Sequence, residues 1–162
     1  MPTASRQSST RHRITVERLA VWREFLETHA VVVGALEAEL DAERDLPLAW
    51  YDVLVSLAET PDRRLRMQDL AARVLFSRSG LTRLLDRMVT AGLVRRERCD
   101  DDRRGTFAVL TAAGARRLRD ASGVHLRGVR EHFDRHLTDT DVRALHHALR
   151  KVLDGEAPTD DD

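Results

Sequence analysis

Residues 77–110 constrain this chain most: SRSGLTRLLDRMVTAG, then LVRRERC, then DDDRRG, then TFAVL. In the first segment Leu81, Leu84, Leu85 and Met88 recur at i, i+3, i+4 and i+7, which gathers them on one face of an α-helix and leaves a polar, cationic face opposite. Ser77 is placed to accept a hydrogen bond from an amide of the first turn, and Gly92 falls where a left-handed residue would end the helix. Residues 93–99 and 106–110 carry strand formers. The polar run between them cannot bury itself and supplies a turn glycine at Gly105, so a hairpin is expected. A capped helix followed at once by a basic-tipped hairpin is the outline of a winged helix-turn-helix in a mainly α chain. Its shape suits duplex DNA: such a helix fits the major groove, and a hairpin beside it can set an arginine in the adjacent minor groove.

Charge points the same way only when it is mapped along the chain. The totals are 27 basic and 27 acidic side chains, so bulk charge carries no hint of a partner. Residues 1–62 hold 6 basic and 11 acidic side chains (net −5), residues 63–104 hold 12 and 6 (net +6), and residues 105–162 hold 9 and 10 (net −1). The positive charge is concentrated on the expected reading unit, the footprint of a DNA binder. Every basic residue except Lys151 is arginine, which suits bidentate contacts but is equally the bias of a GC-rich genome.

At 162 residues the chain fits one domain, with little room for a second. The single cysteine, Cys99, leaves no internal disulfide and fits a reducing compartment, and no secretory or membrane-length apolar run occurs, so a soluble cytoplasmic protein is expected. With no Gly-rich phosphate loop, nucleophile elbow or acid pair, neither an enzyme nor a cofactor is expected.

Residues 1–13 are rich in Ser, Thr and Arg without periodicity and read as a disordered arm. From residue 16 to 44, Leu19, Trp22, Leu26, Val33, Leu36 and Leu40 keep helical spacing, and Phe25, Val31 and Val32 widen the apolar stripe enough for more than one neighbour, a second subunit included. Pro47 opens a helix over 48–58. A strand is expected at 65–67 and a short helix at 69–75, with Leu70, Val74 and Leu75 turned inward and Phe76 and Ser77 forming the turn into the recognition helix. Thr111 caps a helix from Ala112 to about residue 137. Gly114, Gly123 and Gly128 inside it cost about 1 kcal/mol each against alanine and signal a bend or a close crossing. A capping box at Thr138 and Asp141 starts a last helix, to Leu153, with Val142, Leu145, Leu149 and Val152 on one face. Residues 155–162 form an acidic, unstructured tail.

Three motifs in order, GLTRLLDRMVTAGLVRRE at 80–97, DDRRG at 101–105 and LTAAG at 110–114, resemble the MarR family of dimeric winged-helix transcriptional regulators. Weaker similarity, as in LPLAWYDVLVSL at 46–57, extends the resemblance over roughly 16–153. It implies a single unit over 14–154, with the winged helix at about 46–110 and dimerisation helices at about 16–44 and 112–153.

On the recognition helix Arg78, Ser79, Thr82 and Arg83 lie away from the leucines near the N-terminus, where helix-turn-helix proteins meet base edges. Arg78 or Arg83 could donate two bonds to guanine, and Ser79 and Thr82 could contact bases or phosphates. Arg87 joins the DNA-facing set, with Asp86 and Arg87 alternatively pairing with neighbours or helping to position the helix. By the resemblance, Asp102 and Arg104 match the family's Asp-x-Arg wing signature. Arg104 would then enter the minor groove, Asp102 would orient it, and Arg103 would meet a phosphate. Gly80 in the first turn and Gln68 in place of a Ser or Thr cap depart from the commoner pattern.

The resemblance further implies a homodimer on a double-stranded operator, and a small anionic or phenolic effector bound between the dimerisation helices and the winged helix. Trp22, His29, Trp50 and Tyr51 are candidate walls, each alternatively plain core. The expected function is a repressor that leaves a pseudo-palindromic operator when the effector binds. Two other readings remain: a metal- or redox-sensing regulator of the same fold, and a winged-helix protein-interaction module. His132 and His136 stand four apart, but no Cys or carboxylate pattern completes a zinc site. Some family members are inactivated by oxidation of a cysteine near the start of the first long helix, whereas Cys99 lies at the strand-to-wing junction.

Overall fold

The computed structural model describes residues 14–74, 77–98 and 105–155. The expected arm, Leu75, Phe76, Cys99, the wing tip with Asp102, Arg103 and Arg104, and the tail from residue 156 lie outside the described residues.

Helix α1 spans Val16–Arg44 as its spacing requires. The Thr15 hydroxyl accepts from the Arg18 amide at 3.3 Å, and at the other end Asp45 turns left-handed (φ 48°) and donates to the Asp41 carbonyl. Helix α2, Leu48–Ala58, follows Pro47. Strand β1 covers Arg64–Arg66 and helix α3 Met67–Arg73, one and two residues earlier than expected. The strand ladder sets this boundary: Arg66 is the last residue paired with β3, opposite Phe107, and the chain turns helical at once. No side chain caps α3; the cap position falls on Arg66 and not on Gln68 as expected, and Gln68 lies inside the helix.

Helix α4 runs Arg78–Thr90, and Gly92 takes φ 73° in the turn that follows. Strands β2 (Val94–Arg98) and β3 (Thr106–Leu110) pair antiparallel with Glu97 opposite Phe107, and β1 joins the other edge of β3, giving the order β1-β3-β2.

Helix α5, Ala112–His132, is capped by Thr111, whose hydroxyl accepts from the Gly114 amide at 3.0 Å. It stops five residues short of the expected end: Phe133 leaves helical geometry (φ −135°, ψ −66°) and a 3₁₀ turn follows at Asp134–His136. The capping box beyond is the reason. Leu137 must be extended (φ −114°, ψ 135°) to enter it, with the Asp141 carboxylate accepting from the Thr138 amide at 2.9 Å and the Thr138 hydroxyl from the Asp141 amide at 3.3 Å. Helix α6 then runs Asp139–Gly155, two residues past the expected end and into the expected tail.

Close crossing explains two of the three α5 glycines. A Cβ on Gly114 would run into the Leu93 carbonyl, and one on Gly128 would lie 2.6 Å from a Leu36 methyl and 2.7 Å from the Glu39 carboxylate. Around Gly123 there is open space, so crossing does not account for it.

Two clusters make the core. One joins Val53, Leu54 and Leu57 of α2, Leu70 of α3, Leu81, Leu84, Leu85 and Met88 of α4, and Val94, Ala108 and Leu110 of the sheet. The other joins Leu36 and Leu40 of α1, Leu46, Leu48 and Tyr51, and Ala121 and Val124 of α5. Trp50 and Leu118 pack against both and weld them together. The sheet and α4 are thereby held on the frame of α1 and α5.

Candidate nucleic-acid interface

The recognition helix is built as its pattern dictates. The Ser77 hydroxyl accepts from the Gly80 amide at 3.2 Å and lies 3.4 Å from the Ser79 hydroxyl. Leu81, Leu84, Leu85 and Met88 are buried on one side, and Ser79, Thr82, Arg83 and Arg87 are exposed on the other. Arg78 opens the helix. The side chains of Arg83 and Arg87 form no ion pair with another described residue, so both cations are turned to solvent on the exposed face.

Asp86 behaves differently. Its carboxylate pairs with Arg96 of β2 at 2.9 Å, and the same guanidinium nitrogen donates to the Thr82 carbonyl at 3.3 Å. Asp86 therefore pairs with a neighbour.

The outer face of the sheet carries a feature that sequence reasoning missed. Arg64 lies over the Phe107 ring at 4.8 Å and Arg66 at 5.7 Å, while Glu97 takes Arg95 as an ion partner and lies 3.9 Å from Arg64. The signal was the alternation of β1 and β3 once paired: Arg64 and Arg66 flank inward Leu65, and Phe107 precedes buried Ala108. Of the expected wing residues, Asp102, Arg103 and Arg104 lie outside the described residues, so only the strands that carry them are placed.

The four candidate effector residues divide between two places. Trp22 stacks on Phe25 with ring centroids 6.0 Å apart on the exposed half of α1, where His29 also lies. Tyr51 is core, its ring 4.3 Å from that of His125, and Trp50 is half-buried between the clusters. Burial holds the His125 imidazole below its ordinary value, and its Nδ1 is enclosed without a hydrogen-bond partner among the described residues. A separate hollow of about 250 Å³ between α1 and the end of α5 is lined by Glu24, Glu27, Thr28, Val31, Val32 and His132, none of them among the four. Beside it His132 meets the Glu39 carboxylate at 2.7 Å. His136 sits in the 3₁₀ turn, beyond the end of the helix that carries His132.

Comparison with known proteins fits this geometry. A family model described as the MarR family matches residues 44–105, the segment from the end of α1 to the wing. AbsC, a MarR family transcriptional regulator from Streptomyces coelicolor, is 37% identical, with 89% of this chain and 97% of that one covered and a TM-score of 0.81. The chain belongs to the MarR family. Sco3205, a second MarR family transcriptional regulator from Streptomyces coelicolor, solved in complex with DNA, is 35% identical over 93% of this chain and 94% of that one, with a TM-score of 0.84. The multiple antibiotic resistance protein MarR of Escherichia coli (strain K12) is 34% identical over 73 residues, 45% of this chain, and the match spans about half of that protein (51%). The two solved structures share the fold of this chain over most of its length. Among the described residues, no helix is long and apolar enough to cross a membrane.

Proposed function

We propose that the protein is a homodimeric, non-enzymatic, cytoplasmic transcriptional regulator that binds a pseudo-palindromic double-stranded operator and acts as a repressor. The observation that carries this reading is the face of α4: a helix capped at Ser77, seated on four buried apolar side chains, turning Ser79, Thr82, Arg83 and Arg87 outward beside a wing whose neighbouring strands are rich in arginine. Arg78, Ser79, Thr82, Arg83 and Arg87 read the major groove, Arg104 enters the minor groove with Asp102 orienting it, and Arg103 meets the backbone. One such unit over 14–154 supplies one half-site, and half-sites lie about one helical turn apart.

The dimer reading rests on apolar surface that the single chain leaves uncovered. Leu19, Trp22, Phe25, Leu26 and Val31 of α1 and Val142, Leu149, Val152 and Leu153 of α6 are all exposed. Two copies that bury these faces against each other satisfy two-fold symmetry. Repression follows by obstruction of polymerase. A small anionic or phenolic effector relieves it by biasing the dimer toward the wrong spacing of its reading heads. Trp50, packed between the two core clusters, is where such a shift is transmitted, with Trp22, His29 and Tyr51 the further candidate contacts.

Selection of duplexes from a random library, followed by fluorescence-anisotropy titration at several salt concentrations, tests the reading. Specific binding to a sequence with two-fold symmetry, weakening steeply with salt, is the expected result. Failure to enrich any duplex would overturn it.

A further inference from the structure

We propose that Arg96 is a positioning residue that locks the wing strand to the reading helix and withdraws the Asp86 carboxylate from the DNA, an inference that rests on the DNA-binding reading above. Arg95, Arg96 and Arg98 look interchangeable in the sequence, but strand parity puts Arg95 on one face and Arg96 and Arg98 on the other. Arg95 is on the outer face, paired with Glu97. Arg96 stands opposite Ala108, a fully buried, small residue on the face that packs toward the helices. That small neighbour leaves room for the arginine stem to cross to α4. There one guanidinium nitrogen bonds the Thr82 carbonyl at 3.3 Å and the Asp86 carboxylate at 2.9 Å. Residues 82 and 86 bracket one turn of α4, the turn that carries Arg83, and Arg87 follows directly.

Two consequences follow for a helix that must meet phosphate. The tie joins the two reading elements at a point between them, so helix and wing reach the duplex in one relative orientation. It also neutralises and fixes the one acid of α4, whose carboxylate would otherwise repel the phosphate backbone beside Arg83 and Arg87. Arg96 does this without touching DNA.

The test is a double-mutant cycle, Arg96→Ala and Asp86→Ala singly and together, read as anisotropy binding of the full chain to its library-selected duplex across a salt series. Arg95→Ala, which removes the same charge from the other face of the strand, is the control. The expected result is an affinity loss of about tenfold for Arg96→Ala, with an unchanged salt slope, a smaller loss for Arg95→Ala, and a non-additive cycle in which Asp86→Ala recovers part of the loss in the Arg96→Ala background. A salt slope lowered by about one unit would show that Arg96 itself neutralises a phosphate, and an additive cycle would show that it does not act through Asp86; either overturns the proposal. Wild-type protein that binds no selected duplex would overturn the DNA-binding reading and this one with it, whereas wild-type binding unaffected by Arg96→Ala overturns the positioning role alone.

Discussion

The segment from α2 to β3 and the pair formed by α1's first half and α6 are built from the same kinds of residue, yet only one of them is finished. In the winged helix the leucines of α2, α3 and α4 are buried, and Leu54, Leu57, Leu70, Leu81 and Leu85 are all at 0% exposure. On α1 Trp22 is 56% exposed, and α6 buries no residue at all. Among the described residues, α6 and the first half of α1 thus keep apolar side chains exposed. The reading unit is therefore completed within one chain, while the terminal helices leave apolar surface uncovered in it.

The largest expected effect breaks the finished side. Leu85→Ala removes a fully buried side chain from α4 and should cost about 2–5 kcal/mol of stability, measured by denaturant unfolding. The complementary change, Leu149→Asp on α6, should leave the helical content of the chain intact but convert the proposed dimer to monomer in analytical ultracentrifugation, because that side chain is 37% exposed within one chain. If Leu149→Asp unfolded the protein at every concentration, α6 would belong to the chain's own core and the contrast between the two regions would fail.

The α5 glycines sharpen the contrast at smaller scale. Gly114→Ala forces a methyl against the Leu93 carbonyl, a backbone atom that cannot yield cheaply, and should destabilise by about 1–3 kcal/mol. Gly123→Ala meets nothing within 4 Å and should stabilise by up to about 1 kcal/mol through helix propensity. Thermal unfolding of the two variants should move in opposite directions. Thr138→Ala, which removes the capping box of α6, should cost about 1 kcal/mol.

What could be read in advance divides along physical lines. Periodicity, caps and the two-residue pattern are local, so Val16–Arg44, Leu48–Ala58, Thr106–Leu110, the Ser77 and Thr111 caps and the left-handed Gly92 were all legible in the sequence. The end of α5 was not. Its helical pattern continues beyond His132, and the break comes from the extended entry that Thr138 demands. The start of α3 depended on a ladder bond to Phe107, some forty residues away along the chain. The site was legible as a set of faces and not as a set of contacts. Which side of α4 is exposed follows from spacing, but the partnership of Asp86 with Arg96 requires the strand and helix to have been docked. Trp22 and His29 were grouped with Trp50 and Tyr51 by chemistry alone, and the fold sets the first two on open helix surface and Tyr51 in the core.

The smallest effect sits where the two regions meet. The His125 ring of α5 packs at a tilt against Tyr51 of α2, and burial lowers its pKa below that of a free imidazole. In the folded chain it therefore stays neutral at a pH where the unfolded chain has already taken up a proton. The unfolded state then binds more protons, so stability must fall as pH drops through the ordinary imidazole range near 6.5 and continue to fall until the folded pKa is reached. Because the ring is only half-buried, the slope should be shallow. His125→Phe retains a ring against Tyr51 and cannot titrate. Urea midpoints measured at steps from pH 8 to pH 5 should lose part of their acid decline in this variant. An unchanged decline would assign the acid sensitivity to groups outside the α2–α5 contact, and would mean that the junction between the reading unit and its frame is insensitive to protons.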